Sequence, residues 1–351
     1  MLAAVLEARA TMTVKEIPDP PLRPGHVAIA PTAAGICGTD LHVYLGTMEH
    51  RVPYPMVLGH EFAGVVTEVA DDVQGFTPGD HAAIDPVVAC GHCPRCIDGQ
   101  PNVCDNLTVF GIDCFGGMCH RVVVPARIVH RIAPAVPLYH GIMAELYSVA
   151  VHASRRTGVA TGDAVVILGA GKVGLSLLDV LRHSAARVLI SVDVDPTRLA
   201  IARELGADVV LNPTECDVLA EVKRLTDGAG ADKVLEAVGH PVDVPGQGTP
   251  VWQAFDMIRS GGQVTVIGQG EQIEKVYWRE FVLKEATVVT SRLNLGDVPR
   301  AIRLIEDGFL HPDKIITHRV PLADAPQAFA DLAAHKPGMI KVAVEIPEEN
   351  P

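Results

Sequence analysis

Four cysteines in one short loop set the first chemical expectation. Cys90, Cys93, Cys96 and Cys104 are spaced C-x2-C-x2-C-x7-C, with Gly91, Pro94, Gly99 and Pro101 bending the chain between them. Four thiolates from so compact a loop can meet at the corners of a tetrahedron around one zinc ion. The loop has few apolar side chains with which to hold a shape, so the ion would supply its order. An iron–sulfur cluster is the rival reading, but its bacterial signature closes with a three-residue gap and a proline. Here the last gap is seven and Asp105 follows. With all four positions taken by protein, such a site is closed and structural.

A second stretch, Gly35 to Glu61, carries donors of a different mix: the thiol of Cys37, the imidazoles of His42 and His60, the hydroxyl of Thr39 and the carboxylate of Glu61. Thiolate, neutral imidazole and carboxylate are what zinc takes in catalytic sites, where three protein ligands leave a place for water or substrate. The 23 positions from Cys37 to His60 form no short helical motif. Taken alone, Cys37 reads equally as a small buried apolar residue.

These residues need elements to hold them. Residues 1–150 read as short apolar alternations broken by Pro and Gly, at His26–Ala30, Gly64–Val69 and Arg121–Val124, with a strand at His81–Ile84 after the tight turn Gly75–Asp80. That is the pattern of a small barrel or sandwich. From Thr161 the character changes. Ala164–Leu168 is a continuous apolar run, as in a strand covered on both faces of a parallel sheet. Gly169-Ala170-Gly171-Lys172-Val173-Gly174 follows at once, then a helical pattern, a strand at Val188–Val192 and Asp193, 24 residues beyond Gly169. Glycines in that turn let backbone approach a pyrophosphate, and the amides opening the helix bind its charge.

Asp193 would hydrogen-bond the adenosine ribose and repel the 2′-phosphate of NADP, which makes the expected cofactor NAD. Arg198 is placed to flank the adenine, or is a surface helix arginine. Val238, Ile267 and Gly268, at the ends of later strands, complete the expected cofactor side. A phosphate-binding P-loop is excluded, because Val173 stands where Ser or Thr is needed after Lys172. Further strands at Asp208–Leu211, Lys233–Val238, Gln263–Ile267 and Thr287–Thr290 make six, alternating with helices: a doubly wound parallel sheet. After Thr290 the pattern stops, and a tail too short for a third domain would return to complete the first one. The expected division is 1–152 with a metal lobe at about 88–106, then 153–290, then 291–351. Residues 240–250 read as an exposed loop.

The formal charge of −13 and an aromatic content of 4% speak against nucleic-acid backbones, stacked bases and anionic membrane surfaces. The first ten residues carry Glu7 and Arg9 and lack a secretory layout, and no 18-residue apolar run exists. Eight cysteines in this context read as thiols and metal ligands in a reducing compartment, hence a cytoplasmic protein.

Taken together, GICGTDLH (35–42), GHEFAGVV (59–66), the Cys90–Cys104 loop, GAGKVG (169–174) and Asp193 resemble the zinc-dependent, medium-chain alcohol dehydrogenases over essentially the whole chain. AELYSVAVHA (144–153) is similar to the polyol and threonine dehydrogenase branch, with a glutamate where the ordinary members have a cysteine ligand. The resemblance implies a GroES-like β-barrel catalytic domain beside a Rossmann NAD domain, two zinc ions per chain and a homodimer or homotetramer. Cys37 and His60 would hold the catalytic zinc, with Glu61 and Glu145 exchanging places as its carboxylate. Glu145 read without the family is a solvated helix acid.

Thr39 would accept the proton of a secondary alcohol and His42 would relay it, while a hydride passes to NAD. Tyr44 and Arg292 are the implied substrate contacts. The retained four-cysteine lobe, Leu146 after Glu145 and the 240–250 loop depart from the animal polyol enzymes. They leave sugar alcohols, sugar acids, amino-alcohols and diols open as substrates. A catalytically silent, zinc-stabilised NAD-binding protein is the competing class, and it has no use for Cys37, Thr39, His42, His60 and Glu145 together.

Overall fold

The computed structural model describes residues 1–239, 248–270 and 278–347, so most of the 240–250 loop lies outside the described residues. The chain divides into two compact units. One is Met1–Ser148 with the chain from Asn294 onward, the other Val149–Leu293.

In the first unit the described strands form a seven-stranded and a three-stranded sheet that share one core. The larger runs Val129–Arg131, His81–Ile84, Glu61–Val69, His26–Gly35, Lys341–Glu345, Ile316–Pro321, with Val122–Pro125 also paired to His26–Gly35. Val5, Leu6, Val27, Ile29, Phe62 and Phe329 meet in its centre at 2% exposure or less. The tail is part of this unit, since Lys341–Glu345 lies antiparallel to His26–Gly35 with Ala343 opposite Gly35. Gly35 also faces Glu61, so three strands meet at that glycine. A short ribbon, Val87–Val88 against Thr108–Val109, carries the four-cysteine loop.

The second unit is a parallel six-stranded sheet in the order Val209–Leu211, Val188–Val192, Ala164–Leu168, Ala231–Glu236, Ile258–Val266, Thr287–Thr290. All five residues of Ala164–Leu168 and of Val188–Val192 are buried, as their unbroken apolar runs predict. Asp195 caps the helix Pro196–Glu204 through Thr197 N–H at 2.8 Å, with Pro196 in its first turn. The order reverses direction beside Ala164–Leu168, where ligands of such sheets bind. Among the described residues no helix is long and apolar enough to cross a membrane.

Candidate metal centres and dinucleotide site

The four-cysteine loop is a preformed cage. Cys93 opens the helix Pro94–Ile97, and Cys104 follows the single turn Pro101–Val103. The Sγ–Sγ distances are 3.5 Å for Cys93–Cys96, 3.8 Å for Cys93–Cys104 and 4.0 Å for Cys90–Cys96. Four sulfurs tetrahedrally bound about 2.3 Å from zinc would lie roughly 3.8 Å apart. Backbone N–H groups also point at sulfur: Cys93 to Cys90 at 3.4 Å, Asn106 to Cys104 at 3.3 Å. The amides of His92 and Cys93 pull the Cys90 thiol down to about 6, towards the thiolate a metal needs. Cys96→Ser should cost this site its metal, since even an outer partner of a ligand is worth about 10–100-fold in affinity. Zinc per chain would drop by one and proteolysis within 90–104 would rise, with dinucleotide binding by the other unit unchanged.

The second group is built by strand pairing, which brings together what the sequence keeps apart. Ligand atoms of Cys37, His60 and Glu61 all lie within 4.8 Å of one another. Cys37 precedes the helix Gly38–Tyr44, and Glu61 opens the strand Glu61–Val69. His60 is 4% and Glu61 1% exposed. Glu61 Oε1 is buried and has no hydrogen-bond partner among the described residues. A buried carboxylate oxygen left bare beside a thiol and an imidazole is what a cation would satisfy. Thiolate, imidazole and carboxylate suit zinc.

Two further side chains hold this group, and sequence reasoning missed both. Asp40 is fully buried. Its Oδ2 accepts the Cys37 N–H at 2.7 Å, and its Oδ1 lies 3.2 Å from His60 Nδ1. Asp40 thereby orients the His60 ring through Nδ1, so that Nε2 is the nitrogen that would coordinate a metal. In the metal-free protein burial works against the imidazolium, but Asp40 and Cys37 outweigh it and raise the His60 pKa well above normal. The signal was present in C-x-x-D, an acid at the third helical position behind the cap.

Lys341 is the other. It is 0% exposed, pairs with Glu61 Oε2 and donates to Ile36 O at 3.4 Å. Burial lowers its pKa, yet Glu61 and Cys37 raise it further, so the cation persists. Gly35 makes room for the pair: a Cβ there would lie 2.5 Å from Glu61 Oε2 and 2.9 Å from Lys341 Nζ.

Two of the expected site residues lie outside the three ligand atoms. Glu145, on the helix Met143–Thr157, does not join the three ligand atoms. It is buried beside them, and its pKa is pushed up to about 7, chiefly by burial, with His60 lowering and Glu61 raising it. Of the two carboxylates expected to exchange places, Glu61 is thus the inner one here and Glu145 the outer. Tyr44 is a packing residue: its ring meets Phe329 at 5.4 Å and its hydroxyl donates to Ala10 O at 3.3 Å, at 6% exposure. Thr39 and His42 sit three apart on the helix Gly38–Tyr44, on one side of it, both half-buried, with His42 Nδ1 3.3 Å from Thr47 Oγ1. Arg292 is exposed near the end of the second unit.

In that unit Gly169 N–H bonds to Val192 O at 2.8 Å, Gly171 caps the helix Lys172–Leu181, and Val173 lies in its first turn. A Cβ on Gly174 would fall 1.8 Å from Gly169 O, so only glycine fits there. A Cβ on Gly171 would meet nothing within 4 Å, which leaves an open cradle at the helix N-terminus for a pyrophosphate. Asp193 ends the adjacent strand. Its Oδ2 accepts Ala170 N–H at 2.7 Å, its Oδ1 accepts Asp195 N–H at 2.9 Å, and Arg198 stands 3.7 Å away. The acid and the glycine turn are thus one assembly, and their donors fit a dinucleotide.

Residues 23–134 match the alcohol dehydrogenase GroES-like domain, and residues 173–307 match the zinc-binding dehydrogenase family. The chain belongs to the zinc-binding alcohol dehydrogenase family. Among its relatives, the 2-dehydro-3-deoxy-L-galactonate 5-dehydrogenase of Pseudoalteromonas atlantica is 35% identical, over 90% of this chain and 92% of the relative. The L-arabinitol 4-dehydrogenase of Talaromyces emersonii is 34% identical over 94% and 87%. A solved alcohol dehydrogenase, rspB from E. coli CFT073 complexed with NADH, superposes with a TM-score of 0.89. It is 30% identical and the match covers 98% of this chain and 99% of that one.

Proposed function

We propose that this dehydrogenase oxidises a secondary alcohol of a polyol, sugar acid, diol or amino-alcohol to the ketone, with NAD taking the hydride. The observation that carries the reading is the Cys37–His60–Glu61 group with its bare Glu61 Oε1, assembled in a chain that also builds the Gly169–Asp193 cradle. Zinc bound there would supply Lewis-acid polarisation of the alcohol oxygen. The protein's own residues do the rest. Thr39 takes the hydroxyl proton, and His42, next along the same face of the helix, passes it towards Thr47 and solvent. Asp40 keeps His60 aligned, Glu145 supplies a carboxylate in reserve, and Arg292 contacts the substrate. Val238, Ile267 and Gly268 line the cofactor.

The relatives are named for a sugar acid and a pentitol, which supports polyhydroxylated substrates here. A panel of hexitols, pentitols, aldonates, threonine and 2,3-butanediol with NAD, read as NADH absorbance, tests the reading. No NADH from any of them would defeat it. Asp193 sets the cofactor choice: Asp193→Asn keeps an acceptor for Ala170 N–H but drops the charge. Charged hydrogen bonds of about 1.5–3 kcal/mol are at stake. KM for NAD should rise about 10–100-fold and NADP turnover should appear.

A homo-oligomer fits the free edge of the six-stranded sheet. Thr287–Thr290 is its outermost strand, and Val282, Leu283 and Val288 around it are 78%, 64% and 43% exposed. Sedimentation of the wild type against Leu283→Glu distinguishes a dimer or tetramer from a monomer.

A further inference from the structure

The strand Ala231–Glu236 ends on a carboxylate that the dinucleotide motif does not account for. Glu236 is 1% exposed, opposite Leu168 on one side and Val266 on the other. Its Oε1 accepts two consecutive backbone donors, Val238 N–H at 2.8 Å and Gly239 N–H at 3.0 Å. Its own carbonyl accepts Ile267 N–H at 2.9 Å and Gly268 N–H at 3.0 Å.

The packing around it is as tight. A Cβ on Gly268 would lie 2.3 Å from Gly239 N and 2.6 Å from Glu236 Oε2, and one on Gly169 would lie 2.9 Å from Val238 Cγ2. Three turns therefore lean on one another: Gly169 after the first strand, Ala237–Gly239 after the fourth, Ile267–Gly268 after the fifth. Burying a carboxylate is costly unless its hydrogen bonds repay it. Those bonds fix a turn at the sheet's C-terminal edge, next to the point where strand order reverses.

We propose that Glu236 is a positioning residue for the nicotinamide half of the bound dinucleotide. It holds the Val238–Gly239 turn, and through it Gly268, in the shape that receives the ring. The adenosine half rests on Gly171 and Asp193, whereas the amides that Glu236 holds are those of Val238 and Gly239. The inference rests on the NAD reading above and deepens it.

NADH binding by fluorescence and ADP-ribose binding by calorimetry, on the zinc-loaded protein, separate the two halves. For Glu236→Ala, NADH affinity should fall about tenfold or more, the scale of lost charge-assisted bonds, with ADP-ribose affinity within about twofold of wild type. Glu236→Gln, which keeps one acceptor oxygen, should recover most of the loss. NADH binding unchanged in Glu236→Ala overturns the proposal, as does an equal loss of both ligands. Should Glu236→Ala fail to fold, Glu236→Asp, whose shorter side chain withdraws the oxygen from the Val238 and Gly239 amides, decides: a weaker NADH-to-ADP-ribose ratio supports the proposal and an unchanged ratio overturns it. A wild type that binds no NADH would instead defeat the NAD reading itself.

Discussion

Cys37→Ser should leave a folded protein with one metal fewer and almost no turnover. A serine hydroxyl keeps its proton at neutral pH and is a poor partner for zinc beside His60 and Glu61. The fold should survive for local reasons. Cys37 contributes its backbone N–H to Asp40 at 2.7 Å, and serine caps a helix such as Gly38–Tyr44 well. What disappears is electrostatic stabilisation of the developing alkoxide, worth several kcal/mol, so turnover should fall by about 10³ or more. Of the two candidate groups, only the four-cysteine lobe would still hold zinc. Elemental analysis, thermal melting and NADH formation on the same preparation check all three parts. Normal turnover would remove Cys37 from the chemistry, and loss of both metals would show that the two sites are not independent.

How much of this was legible in the chain depends on whether the signal was local. Continuous apolar runs placed Ala164–Leu168 and Val188–Val192, and the strands read at His81–Ile84 and Thr287–Thr290 likewise stand at their observed bounds. The four-cysteine loop was legible for the same reason, because its geometry is closed within 15 residues. Errors arise where partners are distant. The strand expected from Gly64 starts at Glu61, since Gly35 of a neighbouring strand fixes its register there.

The strand expected to end at Val238 stops at Glu236, whose side chain captures the next amides into a turn. The strand expected from Gln263 begins at Ile258, hidden by the polar Arg259-Ser260-Gly261-Gly262. The resemblance implies Tyr44 as a substrate contact, but nothing local shows that Phe329, 285 residues on, packs against its ring. Lys341 is the sharpest case. It opens an apolar strand, Lys341–Glu345, and a charge in such a place needs a buried partner, but nothing local names Glu61.

That pair makes the second large prediction. Lys341→Met keeps most of the side-chain volume and removes the only charge that the described residues show paired with Glu61 Oε2. Removing one partner of a buried pair typically costs about 3–5 kcal/mol. For a unit of this size that is roughly 10 °C in Tm, measured on the zinc-free protein. Zinc should restore more stability to the variant than to wild type, because a cation is then the only neutraliser left for Glu61.

Turnover should nonetheless fall, since without Lys341 the Glu61 carboxylate would compete with a substrate for a bound metal. Lys341→Met with Glu61→Gln tests the coupling. With both charges gone, the zinc-free protein should regain most of its stability, as buried pairs replaced by neutral groups usually do. Additive losses in the double variant would mean that Lys341 and Glu61 act separately, and that Lys341 has no hand in keeping the metal site open.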